Sequence, residues 1–574
     1  MPPKVTQTQK PPQISRARGA PEAQPQSAAA LPIEDYALIG DCATAALVGR
    51  NGAIDWLCLP RFDSSACFAS LLGDRNNGTW RIAPAADSAL ATRRYRGDTM
   101  VLETEFETAH GRALVIDFMP VRARGSPAGG SAIVRLVRGL AGHVPMQLHL
   151  ALRFDYGSTV PWVTRLADNT HGLSAIAGPD LVVLRTPVKL HGRDMTTQAE
   201  FTIAEGETIP FVLQHGPSHL PAPAAIDAEA ALAATDAYWR DWSARCRYQG
   251  PWRDPVLRSL MTLKALTFET TGGIAAAPTT SLPEQLGGQR NWDYRFCWLR
   301  DTTLTLMALM QAGYYDEARD WRDWLHRAIA GDPAQIQIMY GLAGERRLDE
   351  WEVPWLGGYQ GAKPVRIGNA AAGQLQLDVY GEVVDALHQA RVGGIASAPA
   401  SWALQGKLMA HLEAIWREPD EGIWEVRGGR RHFTFSKVMA WVAFDRSVKG
   451  VEQFGLHGPV DRWRAVRDEI HATVCREGFD AADGHFVQSF GSHELDASLL
   501  LIPLVGFLPH EDERVRGTVD AIARDLVSDG FVLRYRTTAG TDGLPPGEGA
   551  FLACSFWLAD CLHMQGRRDE ARAI

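Results

Sequence analysis

The chain has 574 residues, which is too long for one ordinary hydrophobic core, so two or three domains are expected. Its formal net charge is -9, and its lysines and arginines are dispersed, which argues against nucleic acid as the main partner. The eight scattered cysteines show neither the density of a disulfide scaffold nor the paired spacing of a metal site, so we expect reduced, mostly buried thiols.

Residues 1–32 are rich in Pro, Gln, Ala and Ser and contain almost no large apolar side chains. Such a composition cannot offset the entropy cost of ordering, and we expect a disordered tail. No apolar run typical of a secretory signal follows the basic start, and no stretch of about 18 apolar residues could span a bilayer. We therefore expect a cytoplasmic protein without a membrane partner.

Residues 33–216 are expected to form a β-sandwich or a related antiparallel sheet domain. Apolar residues alternate with polar ones in several runs, as over 131–140 and at Leu148, Leu150 and Leu152, and turn residues separate the runs. Residues 217–250 then change from Pro-rich to Ala-rich sequence, which predicts a linker that contains a helix.

Residues 251–574 show helical spacing of apolar side chains, as in the run over 302–329, and about ten to twelve helices fit this part of the chain. Paired helices of this kind can form a bundle, a solenoid or a closed toroid, and the absence of a fixed repeat disfavours the solenoid. In a toroid, the long connections can gather at one end and line a pocket. The connections that mix aromatic residues with charged residues or glycine are 291–301, 349–371, 422–429 and 544–551.

The motifs that are absent exclude several chemistries. The sequence has no glycine-rich dinucleotide fingerprint, phosphate-binding loop, zinc-protease motif or nucleophile elbow. The remaining pattern is carboxylates beside aromatic rings, which suits a sugar because its C–H face packs on Trp or Tyr and its hydroxyls bind Asp, Glu, Arg and Asn. One Trp-rich loop could equally be a packed loop core, but four of them in one domain favour a site.

Two glutamates are candidates for glycosidic bond hydrolysis, which needs a protonated acid and a second carboxylate that activates water or attacks the sugar. Glu425 lies between Trp424 and Val426, and such apolar surroundings raise a carboxyl pKa. Glu548 lies between two glycines and leaves room for a water molecule. From the residues alone, a glutamate in either setting is more often a solvated loop residue than a catalytic one.

Arg300 and Asp301 have two interpretations as well. They could be a surface arginine beside a helix-starting aspartate, or a fork of donors and acceptors for adjacent sugar hydroxyls. Glu350, Glu352 and Asp378 are weaker acidic candidates of the same kind.

The chain resembles glycoside hydrolase family 15, the glucoamylase, glucodextranase and trehalase group, over nearly all of residues 33–565. Residues 33–74 resemble the start of the trehalase-like N-terminal domain of prokaryotic members. The segments that resemble the catalytic domain are 289–309, 364–387, 422–448 and 546–562. The resemblance implies a multidomain β plus α protein: an N-terminal antiparallel β-supersandwich followed by an (α/α)6 toroid. It also implies inversion at the anomeric carbon, which requires no redox or metal cofactor.

Carried over residue by residue, the resemblance implies roles for several side chains. Trp298, Arg300 and Asp301 match the family's Trp-x-Arg-Asp motif, which grips the terminal glucose. Glu425 matches the general acid, and Glu548 is the best candidate for the general base before the final helix. The other expected substrate-binding residues in these matching segments are Trp292, Asp293, Trp424, Arg366 and Asn369.

The departures from the family bear on the substrate. Val426 stands where fungal glucoamylases have a second glutamate, so we do not expect the same contact with the second sugar. The sequence shows neither a starch-binding domain nor a secretion signal, which favours a small carbohydrate inside the cell. Trehalose is the first expectation, and short malto- or isomalto-oligosaccharides are the second. A homo-oligomer is compatible with the sequence.

Two alternatives of other classes stay open at this point. An inverting disaccharide phosphorylase shares the expected architecture but uses phosphate in place of the base, so the glutamate at 548 argues against it. A sugar-binding protein without catalysis is disfavoured because both carboxylates and the sequence from Trp298 to Asp301 are intact.

Overall fold

In the computed structural model of the protein, the described residues are 30–86, 89–121, 130–166, 172–395, 399–540 and 542–574. Nearly all of the predicted disordered tail therefore lies outside the described residues. All eight cysteines are free thiols, and only Cys475 among them is not buried. Across these described ranges, no helix combines the length and the apolar character that crossing a membrane requires.

The N-terminal part of the described chain is an antiparallel sheet domain in which fifteen strands are hydrogen-bonded into one connected sheet. The strands are β1 (Tyr36–Gly40), β2 (Ala45–Gly49), β3 (Ala53–Cys58), β4 (Ala66–Phe68), β5 (Thr79–Pro84), β6 (Leu90–Tyr95), β7 (Leu102–Thr108), β8 (Gly111–Phe118), β9 (Ala132–Ala151), β10 (Trp162–Arg165), β11 (Leu173–Ala177), β12 (Asp180–Arg185), β13 (His191–Arg193), β14 (Thr196–Ala204) and β15 (Thr208–Pro217).

Strand β9 connects the two halves of this sheet. Its first half pairs with β8 and β15, and its second half pairs with β5 and β14. The alternating runs that the sequence showed at 131–140 and around Leu148 therefore belong to one strand of 20 residues. Period-two alternation predicts strand in both places, but it does not show that the chain continues without a turn between them.

The rest of the described chain is mainly helical, with short strands paired in six two-stranded sheets between the helices. The helices are α1 (Ala228–Ala244), α2 (Arg253–Ala265), α3 (Leu299–Gln311), α4 (Tyr315–Ala328), α5 (Asp378–Val392), α6 (Pro399–Ile415), α7 (Thr434–Phe454), α8 (Val460–Glu477), α9 (Leu501–Leu504), α10 (Glu513–Asp525), α11 (Leu552–Met564) and α12 (Arg568–Ala573). The run that looked helical over 302–329 is two helices, because Gly313 has a φ of +99° and turns the chain between α3 and α4.

Burial separates the longer helices into two groups. Helices α5 and α7 are buried along nearly their whole length, whereas α4, α8 and α10 bury one face and expose the other. Helix α5 packs between α3 and α7, and α7 also packs against α8. The fully buried helices thus lie inside the amphipathic ones.

The loop 349–371 of the helical part rests on the sheet domain. Leu356 and Val365 share a buried apolar cluster with Trp56 and Leu72 of the sheet domain. The indole N–H of Trp355 donates a hydrogen bond of 3.0 Å to the carbonyl of Tyr156, and the N–H of Gly358 donates one of 2.8 Å to the carbonyl of Leu72. The sheet domain therefore supports a loop that reaches the site described below.

Candidate active site

A cavity of about 510 Å³ opens in the helical domain. Such a volume lies within the range of pockets that enclose a small molecule. Its wall is formed by the segment before α3, by α3 itself and by the loops before α7 and α11. Six predicted site residues line it: Trp292, Arg300, Asp301, Asn369, Trp424 and Glu425.

Glu425 combines burial with two donors that reach the same carboxylate oxygen. The indole N–H of Trp298 donates to Oε1 at 2.8 Å, and a guanidinium N–H of Arg300 approaches the same oxygen at 3.4 Å. Burial is the largest influence and raises the pKa of Glu425, while Arg300 and Trp298 oppose the rise. The carboxyl group therefore holds its proton more readily than an exposed glutamate does.

The backbone at Glu425 is in the left-handed region, with a φ of +58°. This conformation is uncommon for a residue with a side chain and often occurs at functional sites. The N–H of Glu425 donates to the carbonyl of Gly422 at 3.1 Å, which closes a turn. Gly422 has a φ of +69°, and a Cβ there would lie 2.7 Å from the ring of Phe433. The tight turn thus aims the carboxyl group into the cavity wall.

The side chain of Trp424 is held in place by a hydrogen-bonded carboxylate and by neighbouring rings. Its indole N–H donates to both carboxylate oxygens of Asp496, at 2.9 and 3.0 Å. Its ring packs near Phe551 and Trp557, with centroid distances of 5.8 and 6.3 Å, and the guanidinium of Arg534 lies 5.4 Å from its ring centroid. An apolar ring surface with a fixed orientation is thereby exposed to the cavity.

Arg300 and Asp301 begin helix α3, but Arg300 is not a surface residue. Its Nε donates to Asp301 at 2.9 Å, and its Nη1 donates to the carbonyl of Ile423 at 2.6 Å as well as approaching Glu425. The side chain of Asp301 is 31% exposed, so its carboxylate can meet a ligand in the cavity. Trp298 itself is buried and does not line the cavity.

Asp293 and Arg366 also lie outside the cavity lining and support residues that form it. Asp293 is fully buried, and its carboxylate accepts hydrogen bonds from Arg295 at 2.6 Å and from the N–H of Gly368 at 3.1 Å. The guanidinium of Arg366 lies 4.6 Å from the ring centroid of Trp292. These contacts fix the positions of Trp292 and of the chain that leads into Asn369.

Glu548 is held by two guanidinium groups. Its Oε2 accepts from Arg534 at 2.6 Å and from Arg290 at 3.3 Å. Its side chain is only 3% exposed, and it does not line the cavity, although Arg534, Gly549 and Ala550 next to it do. Glu548 therefore lies directly behind the cavity wall, where the two guanidinium groups hold its carboxyl group in place.

The sequence interpretation missed several residues of the wall. Those that it did not single out are Glu284, Arg290, Tyr294, Arg427, Arg534, Tyr535 and Phe551. Tyr294 lies in the segment 291–301, which was noted for its aromatic and charged residues, and Arg290 directly precedes that segment, so their position gave a signal. Glu284 and Arg534 lie in no recognisable motif and are brought together only by the fold.

A buried carboxyl group lies beneath Arg300 and Glu425. Asp378 at the start of α5 is fully buried, and neither of its carboxylate oxygens has a hydrogen-bond partner within the described ranges. Burial and then the neighbouring Asp420 raise the pKa of Asp378 to about 7. Asp378 therefore does not act as a surface acid, and Glu350, with Arg427 at 3.5 Å, also lies outside the cavity lining.

Ligand atoms that could hold a metal ion occur together at one place in the part of the chain that the structure describes. This group is Asp480, Asp483 and His493. It lies at the surface, with the His493 side chain 79% exposed and its Nδ1 2.6 Å from a carboxylate oxygen of Asp480. Exposed groups of this kind are common as simple ion pairs.

Comparison with known proteins agrees with this geometry. The model of glycosyl hydrolases family 15 matches residues 250–574, and that of the trehalase-like N-terminal domain matches residues 26–239. The chain belongs to glycosyl hydrolases family 15. A member of this family is a hydrolase of glycosidic bonds, and its substrate is a carbohydrate.

Relatives of this family 15 hydrolase include the trehalase of Mycobacterium tuberculosis, which is 37% identical over 568 residues, covering 95% of this chain and 83% of that protein. The trehalase of Mycolicibacterium smegmatis is 38% identical over 570 residues, covering 95% of this chain and 84% of that protein. Among solved structures, a wild-type glycosidase is 19% identical with a TM-score of 0.45, covering 58% of this chain and 82% of that one.

Proposed function

We propose that this family 15 hydrolase is a trehalase that cleaves α,α-trehalose into two glucose molecules with inversion at the anomeric carbon. The observation that carries the proposal is Glu425, a buried carboxyl with a raised pKa at the wall of the cavity. The similarity to two trehalases over 95% of the chain supports the choice of trehalose.

In this proposal Glu425 is the general acid. Trp298 and Arg300 both donate to Oε1, and no hydrogen bond to Oε2 is found in the described ranges, which leaves Oε2 to carry the proton. When the proton passes to the glycosidic oxygen, negative charge develops on the carboxyl group, and the two donors stabilise it. The same contacts thus orient the acid and ease its ionisation in the transition state.

Glu548 is the general base in this proposal. Its ion pairs with Arg290 and Arg534 fix the position of the carboxylate, which would accept a proton from water. The attacking water would lie at the wall beside Gly549 and Ala550, in front of Glu548. Inverting enzymes typically hold such a water between carboxyl groups about 6.5–9.5 Å apart.

The proposed glucose-binding residues are those that line the cavity with polar or aromatic groups: Trp292, Arg300, Asp301, Asn369 and Trp424. The ring of Trp424 offers a flat apolar surface to a sugar face, and the carboxylate of Asp301 offers acceptors for hydroxyls. Trp298, Asp293 and Arg366 position these groups from behind the wall, as their contacts indicate.

We also propose a domain division into a β-supersandwich over residues 33–216, a linker over 217–250 and an (α/α)6 toroid over 251–574. The passage of β9 between two sets of partner strands supports the supersandwich. The burial of α5 and α7 inside amphipathic helices supports a toroid with an inner and an outer layer of helices.

The test is incubation of the purified protein with trehalose, maltose, isomaltose and soluble starch, with glucose release measured for each. We expect trehalose to be cleaved fastest, and NMR of the first product to show one β-glucose and one α-glucose per trehalose. Faster cleavage of maltose or isomaltose would show that trehalose is not the preferred substrate, but the protein would still be a glycoside hydrolase. Consumption of phosphate in proportion to product would instead indicate a phosphorylase, and full activity of Glu548→Gln would refute the proposed base.

A further inference from the structure

Glu548 belongs to a network of five side chains of alternating charge behind the cavity wall. Arg534 lies between Glu284 and Glu548, with its Nη2 at 3.0 Å from Glu284 Oε2 and at 2.6 Å from Glu548 Oε2. Arg290 lies between Glu548 and Asp542, with Nη1 at 3.3 Å from Glu548 and Nη2 at 2.6 Å from Asp542. Each guanidinium group is therefore shared by Glu548 and one rival carboxylate.

The five side chains of this network are well shielded from solvent. The exposed fraction is 17% for Glu284, 15% for Arg534, 3% for Glu548, 4% for Arg290 and 1% for Asp542. At such burial, charges act on one another with little screening. Three carboxylates against two guanidinium groups leave one surplus negative charge when all five groups are ionised.

The backbone holds Glu284 and Glu548 together as one unit. Gly547 has a φ of +106°, and a Cβ there would lie 2.2 Å from Oε1 of Gln285. A Cβ on Gly549 would lie 2.4 Å from the carbonyl oxygen of Glu284. The two glycines around Glu548 are thus required because the segment that carries Glu284 packs directly against them.

A glutamate bound by two uncontested guanidinium groups would be a poor general base, because both would stabilise its anion and lower its proton affinity. Here the carboxylate of Glu284 competes for Arg534 and adds a negative charge next to Glu548. Of the three acidic residues in this network, Glu284 is the one that lines the cavity, and it lies between α2 and α3.

We propose that Glu284 is a positioning residue that keeps Glu548 basic by holding one side of Arg534. The proposal rests on the proposed role of Glu548 as the general base. Burial raises the pKa of Glu284, Arg534 opposes the rise, and Glu548 adds to it, so the two glutamates sense each other's charge. The ionisable groups that face this pair are Arg290, Arg534, Asp542, Tyr294, Tyr535 and Cys554.

The test is the pH profile of Glu284→Gln, measured on whichever α-glucoside the wild-type protein hydrolyses. The substitution leaves Arg534 wholly to Glu548, which lowers the proton affinity of the base. We expect the acid limb of kcat/KM to move to lower pH and kcat on the plateau to fall roughly three- to tenfold, with KM changed less than about twofold. Glu229→Gln, which breaks a surface ion pair with Arg138, is the control and should match the wild type.

A second variant separates charge from packing. Glu284→Asp keeps the negative charge and should keep the wild-type acid limb even where kcat falls. If Glu284→Asp shifted the acid limb as Glu284→Gln does, the inference would be overturned. It would also be overturned if Glu284→Gln left the acid limb unmoved and raised KM about tenfold, because Glu284 would then be a sugar-binding residue only. Full activity of Glu548→Gln would refute the base itself, which is a separate failure.

Discussion

Arg295 of the helical domain donates a hydrogen bond of 2.9 Å to the hydroxyl of Tyr156 in the sheet domain. The same guanidinium donates to Asp293 and, at 2.7 Å, to the carbonyl of Ser64, so one fully buried side chain joins the two domains. Because Asp293 also holds the chain before Asn369, this junction reaches the candidate site.

Tyr156→Phe is expected to destabilise the protein by about 1–2 kcal/mol, since a buried N–H of Arg295 would lose its acceptor. A thermal melt should show a melting temperature lower by about one to two degrees. Tyr315→Phe is a suitable control, because no hydrogen bond of its hydroxyl is found within the ranges that the structure describes. Equal melting temperatures for Tyr156→Phe and the wild type would show that this bond contributes nothing to stability.

Glu425→Gln is expected to lower kcat by about 10²- to 10⁴-fold, because an amide cannot protonate the leaving oxygen. The variant keeps a similar shape, so its melting temperature should stay close to that of the wild type. Glucose release and a thermal melt check the two expectations. Glu452→Gln, which alters a surface ion pair with Arg464, should remain fully active. A Glu425→Gln enzyme within tenfold of the wild type would exclude Glu425 as the acid.

Trp298→Phe should move the alkaline limb of the pH profile to higher pH. The indole N–H stabilises the anion of Glu425 and lowers its pKa, so removal of this donor raises that pKa and preserves the protonated acid at higher pH. The profile of kcat on the preferred substrate measures the shift. Trp416→Phe is the matched control, because the buried Trp416 Nε1 has no hydrogen-bond partner in the described part of the chain. An unmoved limb would mean that this bond does not tune the acid.

Asp378→Asn is expected to stabilise the protein near neutral pH. The pKa of Asp378 is about 7 in the folded protein and 3.8 as its ordinary value, so the folded state binds the proton more tightly. Wild-type stability should therefore fall as pH rises from about 4 to about 7, and the substitution removes this loss, on the order of 1–3 kcal/mol.

Thermal melts of Asp378→Asn and the wild type between pH 4 and 8 test this expectation. The difference in melting temperature should grow with pH and level off above about pH 7, whereas Asp349→Asn, with its side chain 69% exposed, should give a small and constant difference. A difference that does not depend on pH would show that Asp378 keeps its ordinary ionisation in the folded protein.

The order of the two architectures could be predicted from the sequence because it depends on local periodicity. Alternation with period two predicted strands before residue 217, and helical spacing predicted helices after 251, as the structure shows. The continuity of β9 could not be predicted, because a long strand that changes partners has the same alternation as two strands joined by a turn.

The candidate site was predictable in part for a similar reason. Trp424, Glu425, Arg300 and Asp301 lie in short segments whose residue types already suggest sugar binding, and all four line the cavity. Glu284 and Arg534 are separated by 250 positions, and neither stands in a motif, so only tertiary structure brings them to one ion pair.

The apolar cluster shared by Leu356, Val365, Trp56 and Leu72 limits how this enzyme can be rearranged over evolution. A helical domain that was recombined with a foreign N-terminal partner would present these apolar side chains to a surface that does not match them, and exposed patches of this kind favour aggregation. The two domains are therefore expected to be inherited as a pair, and substitutions on one face of their contact should be accompanied by compensating changes on the other.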